Sequence, residues 1–352
     1  MPEALLVPPV SPNVTASPDP SAWDAYVDAH PRATQYHRWA WRRVFERAFG
    51  HECVYLAAQD LDGDITGVLP LVYFRSALFG RFLVSLPFVN YGGVLADDAR
   101  AAETLANAAR AVARERRCSH VELRHRARQF EALPVKQHKV TLLRTLEASL
   151  DQAWKALDNK VRNQVRKAEK SGLTVVDGGS ELLREFYPVF AQNMRDLGTP
   201  VYSPRFFEEV LAQVPEASRT FVVRKDAEPV AAGIALVHRD TVEVPWASSL
   251  RKYRQLCPNM LLYWSVIRWA IGRGLHVLDF GRSTPDEGTF HFKKQWGAQP
   301  VPLYWEYWLA EGLSLPDHSP KNPKFRLAVA TWQRLPLWFA NALGPHVVRS
   351  IP

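Results

Sequence analysis

The segment Leu278 to Gly297, LDFGRSTPDEGTFHFKKQWG, sets one arginine and two adjacent lysines around a sharp turn. Asp279-Phe280 reads as a strand end, Gly281 as a residue free to turn, and Ser283 or Thr284 before Pro285 as the cap of a following helix. Arg282, Lys293 and Lys294 would then converge on a strand end beside Phe290, Phe292 and Trp296. Cations held in such a water-poor setting suit a developing oxyanion or a diphosphate, because solvent screening is weak there. The competing reading makes the aromatics core and the lysines wet surface.

A second basic segment, WKALDNKVRNQVRKAEKSG, runs from Trp154 to Gly172. Trp154, Leu157, Val161, Val165 and Ala168 recur at helical spacing as one apolar stripe, and Lys170-Ser171-Gly172 supplies a basic last turn and a glycine stop. Between Lys155 and Lys170 six basic residues face two acidic ones, a net of +4 that is half the chain's excess charge of +8. Arg162 and Arg166, one turn apart, could grip phosphate bidentately; the alternative is a solvated helix face.

Several other patterns fail. His238-Arg239-Asp240 and Asp279-Phe280-Gly281 mimic kinase signatures, but Pro245 stands where the catalytic-loop Asn should be and no glycine-rich loop precedes them. No GxSxG, HExxH or GxxxxGK[ST] occurs, and the 11 histidines lack metal-ligand spacing, so no metal is expected; His120 and His125 read as surface or core histidines. Gly272-Arg273-Gly274 follows a helix instead of opening one, which excludes a dinucleotide fingerprint.

These residues need a scaffold of some size. With 352 residues, 47% of them hydrophobic, the chain exceeds one typical domain and can bury a core; two globular units are the expectation. An isoelectric point near 9.4 biases the partners towards anions: RNA, phosphorylated substrates or anionic lipid. Cys53, Cys118 and Cys257 are too few and too scattered for a disulfide framework, which fits a reducing cytoplasm. Met1 to Asn13 carries no basic signal-peptide start, and Asn13-Val14-Thr15 reads as an accidental glycosylation match.

The order of elements repeats. Helices at Ala22 to His30 and Tyr36 to Phe49, strands at Val54 to Ala58 and Val68 to Phe74, a helix at Ala99 to Arg117 and strands at His120 to Leu123 and Lys139 to Leu143 form a first α/β unit. One long helix, Ser149 to Lys170, opens a second unit. Its strands are Leu173 to Val176, Thr220 to Arg224, Val230 to His238, Val242 to Ala247 and Val277 to Phe280, and its helices Ser180 to Asp196, Pro204 to Gln213 and Pro258 to Gly272. The expected division is a disordered tail over 1–19, a first lobe over 20–147, a second over 148–315 with the basic helix 149–171, and a helical extension over 316–352.

RNQVRKAEKSGL (Arg162 to Leu173), DFGRST (Asp279 to Thr284) and GTFHFKKQWGA (Gly288 to Ala298) together resemble the FemAB-like acyltransferases, particularly the group found with bacterial exosortase/PEP-CTERM systems. The resemblance covers most of residues 20 to 345. It implies an α/β (α+β) fold of two tandem GNAT-like lobes, with mixed, mostly antiparallel sheets flanked by helices, and an enzyme that joins an acyl or aminoacyl group to an amine. Better-studied relatives take amino acids from aminoacyl-tRNA and attach them to peptidoglycan precursors. Their functional Phe-Lys pair maps onto Phe292-Lys293. This chain departs from those relatives in two ways, the absence of a coiled-coil insertion in the second lobe and a basic helix of the exosortase-associated type, so the resemblance leaves open both the tRNA donor and the peptidoglycan acceptor. Acyl-CoA-dependent GNAT proteins cradle pyrophosphate in a Q/R-x-x-G-x-G/A loop; the corresponding SLRKYRQLCPN, Ser249 to Asn259, has no glycine.

The reading that follows is a cytoplasmic, amide-forming acyltransferase with no resident cofactor. Its donor would be an aminoacyl-tRNA or an acyl thioester, and its acceptor an amine on a lipid-linked or phosphorylated cell-envelope or exopolysaccharide precursor. Lys293 would stabilise the oxyanion; Asp279 would orient Arg282, take a proton from the amine, or serve as a strand-end carboxylate. Arg162, Arg166, Arg282, Phe292, Lys294 and Trp296 would contact substrate. The rivals are an ordinary acyl-CoA N-acetyltransferase and a non-catalytic RNA- or envelope-associated binding module. An inward-facing Lys293 between the lobes favours the enzyme, a solvated one the module. The aromatic and basic stretch Phe325 to Val348 reads first as packing over the lobes and second as a peripheral contact at the inner membrane face.

Overall fold

The computed structural model describes residues 13–76, 79–316 and 323–351. The first half comprises β1 (Asn13–Thr15), α1 (Pro20–Ala29), α2 (Ala40–Phe49), β2 (Glu52–Gln59), β3 (Ile65–Ser76), β4 (Gly80–Val84) and β5 (Leu95–Ala96). Then come α3 (Ala99–Glu115), β6 (His120–His125), β7 (Val135–Lys136) and β8 (Val140–Thr145). The second half opens with α4 (Leu150–Ala156), α5 (Asn159–Lys170), β9 (Leu173–Gly178), α6 (Leu183–Leu197) and α7 (Pro204–Gln213). It continues through β10 (Ser218–Lys225), β11 (Glu228–His238), β12 (Thr241–Ser249), α8 (Pro258–Gly272), β13 (Val277–Ser283), α9 (Gly288–Lys294), β14 (Gln299–Pro302) and β15 (Tyr304–Leu309). Helices α10 (Pro323–Arg334) and α11 (Leu337–Val348) follow.

Two sheets result, and they match strand for strand. The first runs β1-β2-β3-β4-β6-β15-β7 with β5 beside β3, and the second β9-β10-β11-β12-β13-β8-β14. Each has a single parallel pair among the described residues, β4 with β6 and β12 with β13. The expected repetition is therefore present in topology although the residues do not repeat.

Each half lends a strand to the other. β8 pairs with β13 and β14 in the second sheet, and β15 pairs with β6 and β7 in the first. A cut at residue 147 or 315 therefore does not separate the two sheets, because backbone hydrogen bonds of each are completed from across the cut. Glu306 of β15 fixes the exchange. Fully buried, it accepts from His125 Nδ1 at 2.7 Å and from the backbone N–H groups of Gln129 and Phe130.

Three local expectations change. The helix 149–170 is broken: Leu157 turns extended at ψ 142, so α4 and α5 meet at an angle while Leu157, Val161, Val165 and Ala168 stay buried. The helix expected from Tyr36 is a 3₁₀ turn, Gln35–His37, before α2. In the tail, residues 1–12 lie outside the described residues, and Asn13–Thr15 adds an edge strand to β2 instead of being disordered.

The lobes share a core. Phe45 and Phe49 of α2 and Phe88 of the 85–94 loop pack against Tyr202, Phe206 of α7 and Trp246 of β12, with ring centroids 4.9 to 6.5 Å apart in the pairs that touch. Burying each such ring stabilises by roughly 1.5–3 kcal/mol, enough to hold the two sheets in one fixed relation. Separate clusters fill the outer faces, under α3 in the first lobe and under α5 and α8 in the second.

Candidate active site at the lobe seam

Pairing between β12 and β13 stops at Glu243 and Asp279, although both strands run on to Ser249 and Ser283. The strands part there and open a gap in the sheet. Gly281 makes the bulge possible. Its φ is +74, and a Cβ on it would sit 3.1 Å from Asn90 Nδ2. Into the gap the first lobe sends the Asn90-Tyr91-Gly92-Gly93 loop: the Tyr91 hydroxyl donates to Asp279 Oδ2 and Asn90 Nδ2 to Glu243 Oε1.

Asp279 is buried and fully engaged. Besides Tyr91 it accepts from Thr141 Oγ1 of the exchanged strand β8 at 2.5 Å and from the Gly281 N–H at 2.8 Å, both at Oδ1. It has no bond to Arg282, so the expectation that it orients that arginine is corrected; the bulge sends the two side chains to different neighbours. Lys293 is 8% exposed and turns inward. Its Nζ donates to the carbonyls of Gly281 and Arg282 at 3.0 and 2.9 Å.

Burial shifts the ionisations of this cluster. It lowers the Lys293 ammonium to about 8, opposed by Asp279 and Glu243. It raises the Glu243 carboxyl to about 8, with the Asp279 charge pushing the same way and the Tyr36 and Asn90 side chains opposing. Tyr36 and Tyr91 are held well above the usual phenol range, first by burial and then by the two carboxylates. An acid and a base that both change charge near neutral pH are what proton transfer requires.

The first lobe has the same gap and closes it. Its last parallel pair is Val84 and Glu122, the counterparts of Glu243 and Asp279. There Arg124 Nε pairs with Glu122 at 2.7 Å and the Tyr307 hydroxyl donates at 2.7 Å. Burial pushes Glu122 up, but those two partners outweigh it and keep it below the usual carboxylate range. A compensated pair beside a valine offers no titrating group, so the reactive constellation lies in the second lobe.

The remaining expected residues divide. Arg282 reaches the seam, where its guanidinium lies over the Trp305 ring at 5.4 Å, as does that of Arg124 at 4.3 Å. Arg282 Nη1 is buried with no hydrogen-bond partner, and burial followed by the Arg124 charge lowers its pKa. Phe292 is half-buried against Tyr263 and lines a cavity of about 230 Å³ with Gln164, Arg254, Asn259 and Gln295. Trp296 is corrected from substrate contact to core: it is buried near Tyr263 and Phe280, and its carbonyl accepts from Arg144. Lys294 is exposed over the Phe290 ring. Arg162 and Arg166 make their contacts on the helical segment itself, Arg162 bonded to Asn159 and Arg166 over the Trp154 ring at 5.2 Å, and Gln164 is the α5 residue that lines the Phe292 cavity.

Glu243, Tyr36, Asn90 and Tyr91 were missed in the sequence. A second cavity, about 320 Å³, opens beside Tyr91 and is lined by Arg32, His37, Arg124, His125 and Arg126 among others. Arg126 lies 5.3 Å over the Tyr91 ring, so the cavity leads in cationic walls towards the Asp279 cluster.

Comparison with known proteins agrees with this geometry. Residues 155–294 match the acetyltransferase (GNAT) domain family. FemX has a similar structure, at 15% identity and TM-score 0.66 over 83% of this chain and 96% of that one. The chain is built on the tandem GNAT fold. The C-terminal domain of a putative lysylphosphatidylglycerol synthetase from Agrobacterium fabrum is similar at 11% identity and TM-score 0.53, over 82% of this chain and 91% of that one. A tandem GNAT protein from the clavulanic acid biosynthesis pathway is similar at 11% identity and TM-score 0.51, over 84% and 94%. No curated protein matches in sequence. The parted strands β12 and β13 fall within the matched domain.

The paired ionisations predict an unusual stability profile. From the ordinary glutamate value up to about 8, the folded chain keeps a proton on Glu243 that the unfolded chain has released, so stability falls as pH rises. From about 8 to the ordinary lysine value, the unfolded chain holds the proton that Lys293 has lost, so its contribution rises again. Glu243→Gln removes the first slope. Thermal melts should show the variant more stable than the parent at pH 8 and equal to it at pH 4.5; parallel curves would show that Glu243 ionises normally.

Proposed function

We propose that the chain transfers an activated acyl or aminoacyl group to an amine of a cell-envelope or exopolysaccharide precursor, forming an amide, and that it is a FemAB-like member of the GNAT class. The observation that carries this reading is the inward Lys293, set where β12 and β13 part and next to two buried carboxylates. A binding module has no use for a desolvated lysine beneath its surface.

In the reaction the amine nitrogen attacks the activated carbonyl and the C–N bond forms; as the donor's C–O or C–S bond breaks, the proton that Glu243 took from the amine passes to the departing oxygen or sulfur, which leaves as hydroxyl or thiol. Lys293, as ammonium, supports the oxyanion of the tetrahedral intermediate. Glu243, ionised, takes the proton that the amine must lose, and Asp279 positions the cluster through Tyr91 and Thr141. Arg282, with its unpaired buried Nη1, takes a phosphate or carboxylate oxygen of one substrate. The exposed cations of α5 suit the phosphates of an RNA-borne donor.

An acyl-CoA donor fits poorly. The Arg251–Leu256 stretch is a 3₁₀ helix, Cys257 takes a left-handed φ of 59, and Pro258, which lacks an N–H, opens α8. The amides that would hold pyrophosphate are thus absent, at Pro258, or already bonded within the turn, as those of Tyr253, Cys257 and Met260 are to Leu250, Arg254 and Cys257. Calorimetry with CoA and acetyl-CoA should detect no micromolar binding; saturable binding abolished by changes in this loop would return the acyl-CoA reading.

Lys293→Ala should lower turnover by about 10²-fold or more, as loss of one oxyanion donor does, while the exposed neighbour Lys294→Ala stays near the parent rate. Amide formation is read by mass spectrometry of precursor pools from a deletion strain complemented with each variant. A folded Lys293→Ala protein with unchanged product would remove the lysine from the reaction.

A further inference from the structure

The C-terminal extension covers one side of itself only. Helix α11 buries Ala340, Gly344 and Val348, spaced one turn apart, and Gly344 fits so closely that a Cβ would lie 2.9 Å from the Val201 nitrogen. Helix α10 also packs on α6: Gly198 meets Val329, and Gln333 Nε2 donates to the Asp196 carbonyl. The extension is therefore seated on α6 and the Val201 segment of the second lobe.

The opposite face of α11 is also apolar. Trp338 is 73% exposed, Phe339 40% and Leu343 37%, and Ala342 is exposed beside them. Positions 338, 339, 342 and 343 share one side of a helix, and the Trp338 and Phe339 rings touch edge to face at 5.5 Å. Leu327 of α10, 71% exposed, adds a fourth large apolar side chain to the extension. The exposed His346 is the one polar residue on this outer face; a helix with so much apolar surface normally lies within a core, and this one lies on the surface.

Charge identifies the cover. From His318 to Pro352 the sequence has five basic residues, Lys321, Lys324, Arg326, Arg334 and Arg349, and no acidic one. A protein partner of mixed charge would need no such bias. An apolar, Trp-bearing face in a purely cationic segment matches a bilayer surface, with rings at the headgroup level and cations among anionic headgroups. We propose that the outer face of α11, with Leu327, docks the protein peripherally on an anionic lipid bilayer. No helix among the described residues is long and apolar enough to cross a membrane, so the contact is one of docking. The proposal deepens the transferase reading by placing the enzyme where lipid-linked acceptors lie, but the docking itself is measured without substrate.

The test is co-sedimentation of the full chain with vesicles of phosphatidylglycerol and phosphatidylcholine, against pure phosphatidylcholine, for the parent and for Trp338→Ser/Phe339→Ser/Leu343→Ser. The parent should pellet with the anionic vesicles and less so at raised salt, and the triple variant should partition at least about 10-fold more weakly. Should the triple variant fail to fold, Trp338→Ser alone, at a largely exposed site, gives the same comparison with a smaller loss. A parent that stays in the supernatant, or a folded variant that pellets equally, overturns the proposal. So does gel filtration showing a parent dimer that the variant loses while neither binds vesicles, which would make the face a contact between two copies. Transfer to a water-soluble amine should be equal in parent and variant, so failure of docking and failure of the transferase reading are separately visible.

Discussion

A carboxylate buried between two lobes is tolerable only when each oxygen has donors, because removing it from water otherwise costs several kcal/mol. Asp279 meets that condition with donors from three places: Tyr91 on a loop of the first lobe, Thr141 on the exchanged strand β8, and the N–H of Gly281 at its own bulge. Two of the three, Tyr91 and Thr141, come from outside the second lobe's own run of sequence, so the carboxylate is fully satisfied only when the strands have exchanged and the lobes have closed. The site and the fold are in this sense one requirement.

The same constraint explains why one lobe is reactive. Both sheets part after their parallel pair, and both place an acid at the last paired position. Where Arg124 neutralises Glu122 the gap is inert; where a second acid, Glu243, replaces Val84, burial and the neighbouring Asp279 charge raise its carboxyl to about 8. Lys293 then lies within reach of a site whose charge is balanced only near its own ionisation. Duplication supplies the scaffold twice, and a few side chains decide which copy works.

Much of this was legible in the sequence. Hydrophobic periodicity finds most helices and central strands, while Lys293 is marked by the resemblance of its Phe-Lys pair to the FemAB-like motif; the residues of FHFKKQWG alone fit inward cations and wet surface equally. Strand exchange was not legible: Val140–Thr145 reads as an ordinary strand, and nothing local says which sheet it joins. Asn90-Tyr91-Gly92-Gly93 has the composition of a hairpin turn, and that composition masks its role as an arm reaching the other lobe. Glu243 does leave a signal, a lone acid in the apolar strand TVEVPW, where a strand buried on both faces gives it no route to solvent. Arg162 and Arg166 misled because helical spacing fixes which residues share a face and not what that face meets.

The central claim is that Glu243, as base, and Lys293, as the ammonium that supports the oxyanion, act together in amide formation at the seam. It is tested most directly by the pH dependence of kcat/KM for the parent and for Glu243→Gln, with a donor and amine whose own ionisations lie outside the range. The account predicts a narrow bell centred near 8, the acid limb set by Glu243 gaining a proton and the alkaline limb by Lys293 losing one, with the acid limb absent in the variant. A parent profile flat across that range, or an unchanged acid limb in a folded Glu243→Gln protein, would contradict it.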